Sequence, residues 1–125
     1  MTAQENIEQT KAAYAAFAAA DIDAASANLD DQIEWIVPGN SKISGTYRGK
    51  DEVVGFWISL AEKGFTTAPE HFLGDGDLVV VLTRITADGQ SADQADVLTF
   101  NADGKVVKFQ TAGDTAMQEQ IWGRK

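Results

Sequence analysis

The chain has 125 residues, enough for one domain built around one core. Its 44 % hydrophobic and 23 % charged residues are an ordinary globular composition, and 19 acidic against 10 basic residues give a formal net charge of -9. That acidity disfavours nucleic acid phosphates and anionic membranes, and the lack of cysteine excludes disulfides, thiolate metal sites and a cysteine nucleophile.

The opening Met1-Thr2-Ala3-Gln4-Glu5-Asn6 has no basic region followed by an apolar run, so no secretory signal is expected. No apolar stretch approaches the roughly 18 residues needed to span a bilayer. The expectation is a single cytoplasmic domain over residues 1–125. Residues 3–20 read as a helix, with Ile7, Thr10, Lys11, Tyr14, Phe17 and Ala18 at spacings of three and four in an alanine-rich background. Asp21-Ile22-Asp23 breaks it and offers an N-cap to a short second helix over 24–29, which Asp30 and Asp31 end. A strand follows at 33–37, closed by Pro38-Gly39.

After a loop with an extended piece at 42–47, a third helix runs from about Lys50 to Lys63 and stops at Gly64. The remainder reads as sheet, with strands at 65–73, 77–87, 91–100 and 105–112, then a tail of about one helical turn at 114–122. Pro69 suits an edge or a bulge. Helices that cluster ahead of a meander, rather than alternating with its strands, indicate the α+β class. The run Leu78-Val79-Val80-Val81-Leu82 is apolar on both faces, so both sides of the sheet should be covered. Helices cover one side. A second copy of the chain covers the other most simply, which predicts a homodimer.

One carboxylate stands out. Asp96, Leu98 and Phe100 share a face of their strand, because side chains alternate with period two. If that face lines an interior, burial raises the Asp96 pKa and makes it a candidate acid or base. The alternative is a partly exposed aspartate paired with a nearby arginine.

Four segments carry a family resemblance. They are Tyr14 through Asp23, Ile33-Glu34-Trp35-Ile36-Val37-Pro38-Gly39, Gly45-Thr46-Tyr47-Arg48-Gly49-Lys50-Asp51-Glu52-Val53, and the hairpin from Asp96 to Phe109 with its Asn101-Ala102-Asp103-Gly104 turn. The chain resembles the SnoaL-like polyketide cyclases. These belong with ketosteroid isomerases and limonene epoxide hydrolase to the nuclear transport factor 2-like superfamily. The resemblance implies a cystatin-like cone, in which a curved antiparallel sheet wrapped by N-terminal helices encloses a deep apolar pocket. It also implies that Asp96 falls where ketosteroid isomerases keep a pocket carboxylic acid. Trp35-Ile36-Val37 matches the stretch that holds the isomerase's base and has no carboxylate, so steroid isomerisation is not expected. The resemblance is weak for activity, since one fold hosts many chemistries.

Arg84 alternates with Val80 and Leu82, and the family register points all three into the pocket, with Arg84 opposite Asp96. The alternative for Arg84 is a surface charge on the other face. His71, the only histidine, could act as a general base if it turns inward, and otherwise lies on the surface. Tyr14 is a further candidate catalytic group. Phe17, Trp35, Trp57, Leu82, Leu98 and Phe109 are the expected pocket lining, against the plainer reading of the aromatics as core. No spacing typical of a metal site, phosphate loop or nucleotide fingerprint appears. The expected function is a cofactor-independent enzyme acting by acid/base chemistry (isomerisation, cyclisation or hydrolysis) on a small hydrophobic cyclic or polyketide-like substrate. The rival is a non-catalytic binding or dimerisation module of the same fold.

Overall fold

Thr2 starts the first helix, α1 (Ala3–Ala18), with a capping box. Its hydroxyl accepts from Glu5 N at 3.1 Å, and the Glu5 carboxylate accepts from Thr2 N at 3.0 Å, so two otherwise unpaired donors are satisfied. The computed structural model describes the whole chain, Met1–Lys125. After α1 come α2 (Ile22–Ser26), β1 (Leu29–Val37), β2 (Gly45–Arg48), α3 (Lys50–Ala61), β3 (Thr66–Asp75), β4 (Leu78–Ala87), β5 (Gln90–Phe100), β6 (Val106–Ala112) and α4 (Thr115–Trp122).

The strands form one six-stranded sheet in the order β2-β1-β6-β5-β4-β3. All neighbours are antiparallel except β1 and β6, which run parallel. That parallel pair is not legible in the local pattern, since it joins the first strand to the last. It also accounts for the early start of β1. Asp30 and Asp31 were expected to end a helix but lie within the strand, because Leu29 pairs with Val106 and the register shifts between Leu29 and Glu34. Asp30 accepts from Gln32 N at 2.8 Å across that irregularity.

Strands β4, β5 and β6 carry buried residues on the inner face, whereas β3 at the edge is only partly covered. On β4, Val79, Val81, Thr83, Ile85 and Ala87 are buried. The helices pack on this inner face, α1 against β3 and α3 against β1 and β2. Close approach is possible at Gly74 of β3, where an added Cβ would lie 2.9 Å from Ile7 Cδ1 and 3.3 Å from Ala3 Cβ of α1. Aromatic rings fill the space between the layers, with Phe17 edge-on to Trp57 at 5.4 Å and Trp35 edge-on to Trp57 at 5.7 Å.

The C-terminal segment forms more than the expected single turn. Asp114 caps α4 by accepting from Met117 N at 2.9 Å, and Met117 and Ile121 bury against Ile85 and Ala87. Beyond it the chain is pinned to the loop after β1, with Lys42 N donating to Gly123 O and Lys125 N to Asn40 O, both at 2.9 Å. No helix is long and apolar enough to cross a membrane.

Candidate functional site

The inner face of the sheet and the helices above it enclose an apolar cavity of about 100 Å³. Strands and helices together build its aromatic wall. The parallel register sets Trp35 of β1 beside Phe109 of β6, and their rings stack at 3.6 Å with 7° between planes. Phe17 of α1 and Trp57 of α3 continue the wall, with Trp57 edge-on to both Trp35 and Phe17. From the far end, α4 adds Met117, Gln118 and Trp122, and the Trp122 indole donates to Ser59 O at 3.3 Å.

Asp96 lies in this wall and is only 3 % exposed. Its position follows from parity. Asp96 pairs with Val81 on β4 and with Thr111 on β6, and both of those residues are buried on the inner face. Two side chains hold the carboxyl. The Tyr14 hydroxyl donates to Oδ2 in a short hydrogen bond, and Gln94 Nε2 donates to Oδ1 at 2.9 Å. Tyr14 is itself fixed by an edge-on contact with Phe72 at 5.9 Å. Gln94 needs the bare Cα of Gly113, where a Cβ would stand 2.8 Å from its Oε1.

The electrostatics of the pair follow from burial. Desolvation raises the Asp96 pKa to about 6 from 3.8, against the downward pull of the hydrogen bonds from Tyr14 and Gln94. Desolvation also raises the Tyr14 phenol well above its ordinary 10.0, and the Asp96 charge pushes it further the same way. At neutral pH the pair is therefore a mostly ionised carboxylate beside a phenol that keeps its proton. A pKa near the working pH suits a group that both takes and returns a proton.

Tyr14, Phe17, Trp35, Trp57, Leu98 and Phe109 also line the cavity. Three expected residues do not. Leu82 and Arg84 have the opposite parity to Val81 and Thr83, so they point to the outer face. Arg84 sits across from Asp93, not Asp96, and its Nη1 meets Asp93 Oδ1 at 3.0 Å with both side chains at least half exposed. His71 is exposed as well. The register slips between Pro69 and His71, and His71 comes opposite Leu82 on the outer face. No three His, Asp or Glu side chains gather in position for a metal ion.

The sequence reading missed Gln94, Thr111 and Gln118. Gln94 was detectable, because it shares the parity of Asp96 and Leu98. Thr111 shares that of Phe109. Gln118 was not detectable, since α4 reaches the cavity only through the tertiary fold.

The sequence model of the SnoaL-like domain matches residues 10–109. The chain belongs to this SnoaL-like family. The uncharacterized protein Rv0034 of Mycobacterium tuberculosis is 28 % identical, with 98 % of this chain and 99 % of that protein covered. Among solved structures, Bal32a from a soil-derived mobile gene cassette is 26 % identical with a TM-score of 0.89, covering 96 % of this chain and 98 % of that one. TerC, crystallised with polyporic acid, is 26 % identical with a TM-score of 0.81, covering 93 % and 96 %. An NTF2-like protein of Burkholderia pseudomallei, 28 % identical with a TM-score of 0.82 and 98 % of each chain covered, has the same architecture. The fold of this SnoaL-like domain is thus the NTF2-like, cystatin-like α+β cone that the resemblance implies.

Proposed function

We propose that this SnoaL-like protein is a cofactor-independent enzyme that moves a proton on a small, uncharged, ring-bearing molecule, with Asp96 as the exchanging group. The observation that carries the reading is a buried carboxyl, held by Tyr14 and Gln94 and pushed up to about 6 by desolvation, inside a mostly apolar cavity. Asp96, ionised, removes a proton from the substrate and returns it at a neighbouring position. Tyr14, held protonated, keeps a hydrogen bond on the carboxylate through the cycle, and Gln94 holds the other oxygen. The flat wall of Trp35 stacked on Phe109 suits a ring. Asp96 and Asp114 are the only charged residues that line the cavity, so no cation is there to neutralise a carboxylate or phosphate. Crystallisation of TerC with polyporic acid supports a small organic molecule as the occupant. Cyclisation and isomerisation of polyketide-like substrates, and hydrolysis of an epoxide, are the reactions to screen.

The same reading includes a homodimer, because Leu73, Leu78 and Leu82 leave an apolar patch on the outer sheet face that a second copy covers. The test of catalysis is Asp96→Asn, which preserves shape and removes ionisation. With a substrate identified by screening, turnover should fall about 10²–10⁴-fold while the fold persists. Full activity in that variant would eliminate the mechanism. Tight binding of such compounds by the unaltered protein without turnover would favour the binding module instead.

A further inference from the structure

Five buried side-chain atoms have no hydrogen-bond partner within the protein, namely Asn6 Oδ1, Trp35 Nε1, Thr83 Oγ1, Thr111 Oγ1 and Gln118 Oε1. Three of the five, on Trp35, Thr111 and Gln118, belong to residues that line the cavity. An unpaired buried polar atom destabilises a fold, so natural proteins rarely keep several together unless something else pairs with them. Thr111 and Gln118 are 7 % and 8 % exposed. Both also border a polar cleft that adjoins the cavity, beside Gly113 and Thr115. Thr111 reaches this place from β6 and Gln118 from α4, so two separate elements bring them to one end of the site.

The two atoms differ in what they offer. Gln118 Oε1 only accepts, whereas the Thr111 hydroxyl can donate. A ligand hydroxyl satisfies both, since it donates to Gln118 and accepts from Thr111. A carbonyl would leave Gln118 unpaired, and a carboxylate would meet no cation here. We propose that Thr111, which faces Asp96 across the strand pair, and Gln118 of α4 form a polar pole of the cavity beside Asp96, which receives a hydroxyl group of an uncharged ring-bearing ligand. This rests on the cavity being the binding site, and it adds a feature of the ligand that Asp96 and Tyr14 do not specify.

The pole predicts an unusual trade. Replacing either residue by an apolar isostere removes an unpaired atom from the free protein and a hydrogen bond from the complex. Gln118→Met and Thr111→Val should therefore melt no lower than the unaltered protein, yet bind hydroxylated rings more weakly. Calorimetric titration with naphthalene, 2-naphthol and the dihydroxynaphthalene isomers tests this. Each variant should weaken the best hydroxylated probe roughly three- to tenfold and leave naphthalene unchanged. Thr111→Ser, which keeps the hydroxyl and is free of the folding question, should retain the affinity. Equal loss for naphthalene and the hydroxylated probes, or loss for neither, would overturn the pole while leaving the cavity as the binding site. Failure of all the probes to bind the unaltered protein would overturn both.

Discussion

Asp96, by its burial, ties the stability of the fold to pH. Its carboxyl titrates near 3.8 when unfolded and near 6 when buried. Between those values the native state holds a proton that the unfolded chain has released, so stability falls as pH rises through this window and stays lower above it. A shift of this size corresponds to about 3 kcal/mol at neutral pH. Asp96→Asn has no such dependence. Urea denaturation should show the variant gaining on the unaltered protein between pH 4 and pH 7 by up to that amount. An unchanged difference between the two at both pH values would show that the carboxylate is not desolvated. The same residue illustrates what was legible. Its parity with Leu98 and Phe100 is a local property, so the choice of face could be read from the strand. The identity of its partners could not, because Tyr14 lies 82 positions away on α1.

At the scale of elements, caps and registers decide the outcome. The end of α1 is a Schellman turn, with Ala20 N donating to Phe17 O at 3.0 Å and Asp21 N to Ala16 O at 2.9 Å. Ala20 occupies the left-handed position at φ 58°, where a Cβ is strained. Ala20→Gly should stabilise the fold by up to about 1 kcal/mol, and a thermal melt will read it as a higher midpoint. A lower midpoint would mean that the added freedom of the unfolded glycine outweighs the relieved strain. Asp21 as cap of α2 was readable from its type and place, and it accepts from Ala24 N at 3.2 Å. The positions of Arg84 and His71 were not. A strand apolar on both faces has no parity signal of its own, so only the pairing of Val81 with Asp96 sets which side of β4 turns inward. For His71, the slip after Pro69 moves the side chain off the alternation that the sequence implies.

For the whole molecule, the outer sheet face bears on assembly, because it exposes large apolar side chains. In the single chain Leu73, Leu78 and Leu82 are 54 %, 42 % and 39 % exposed on the adjacent strands β3 and β4. The dimer proposed to cover them brings together two subunits that each carry a net charge of -9. Like charges oppose that association and salt screens them, so the dimer should tighten as ionic strength rises. Sedimentation velocity should find a dimer at micromolar concentration, a shift toward monomer at low salt, and a monomer for Leu82→Lys at all salt concentrations. A monomeric unaltered protein at high salt would remove the proposal.

The order of helices and strands, the α+β class and the inward face of β5 are set by local chemistry: caps, turns and alternation act over a few residues and leave a readable trace. The parallel β1–β6 pair, the reach of α4 to the cavity, and the meeting of Asp96 with Tyr14, Gln94 and Thr111 are set by contacts between segments far apart in the chain. No local pattern encodes them, because each depends on which buried face finds which partner. The tertiary structure therefore made Asp96 a buried carboxyl with defined donors, and turned Arg84 outward to an ordinary surface pair with Asp93.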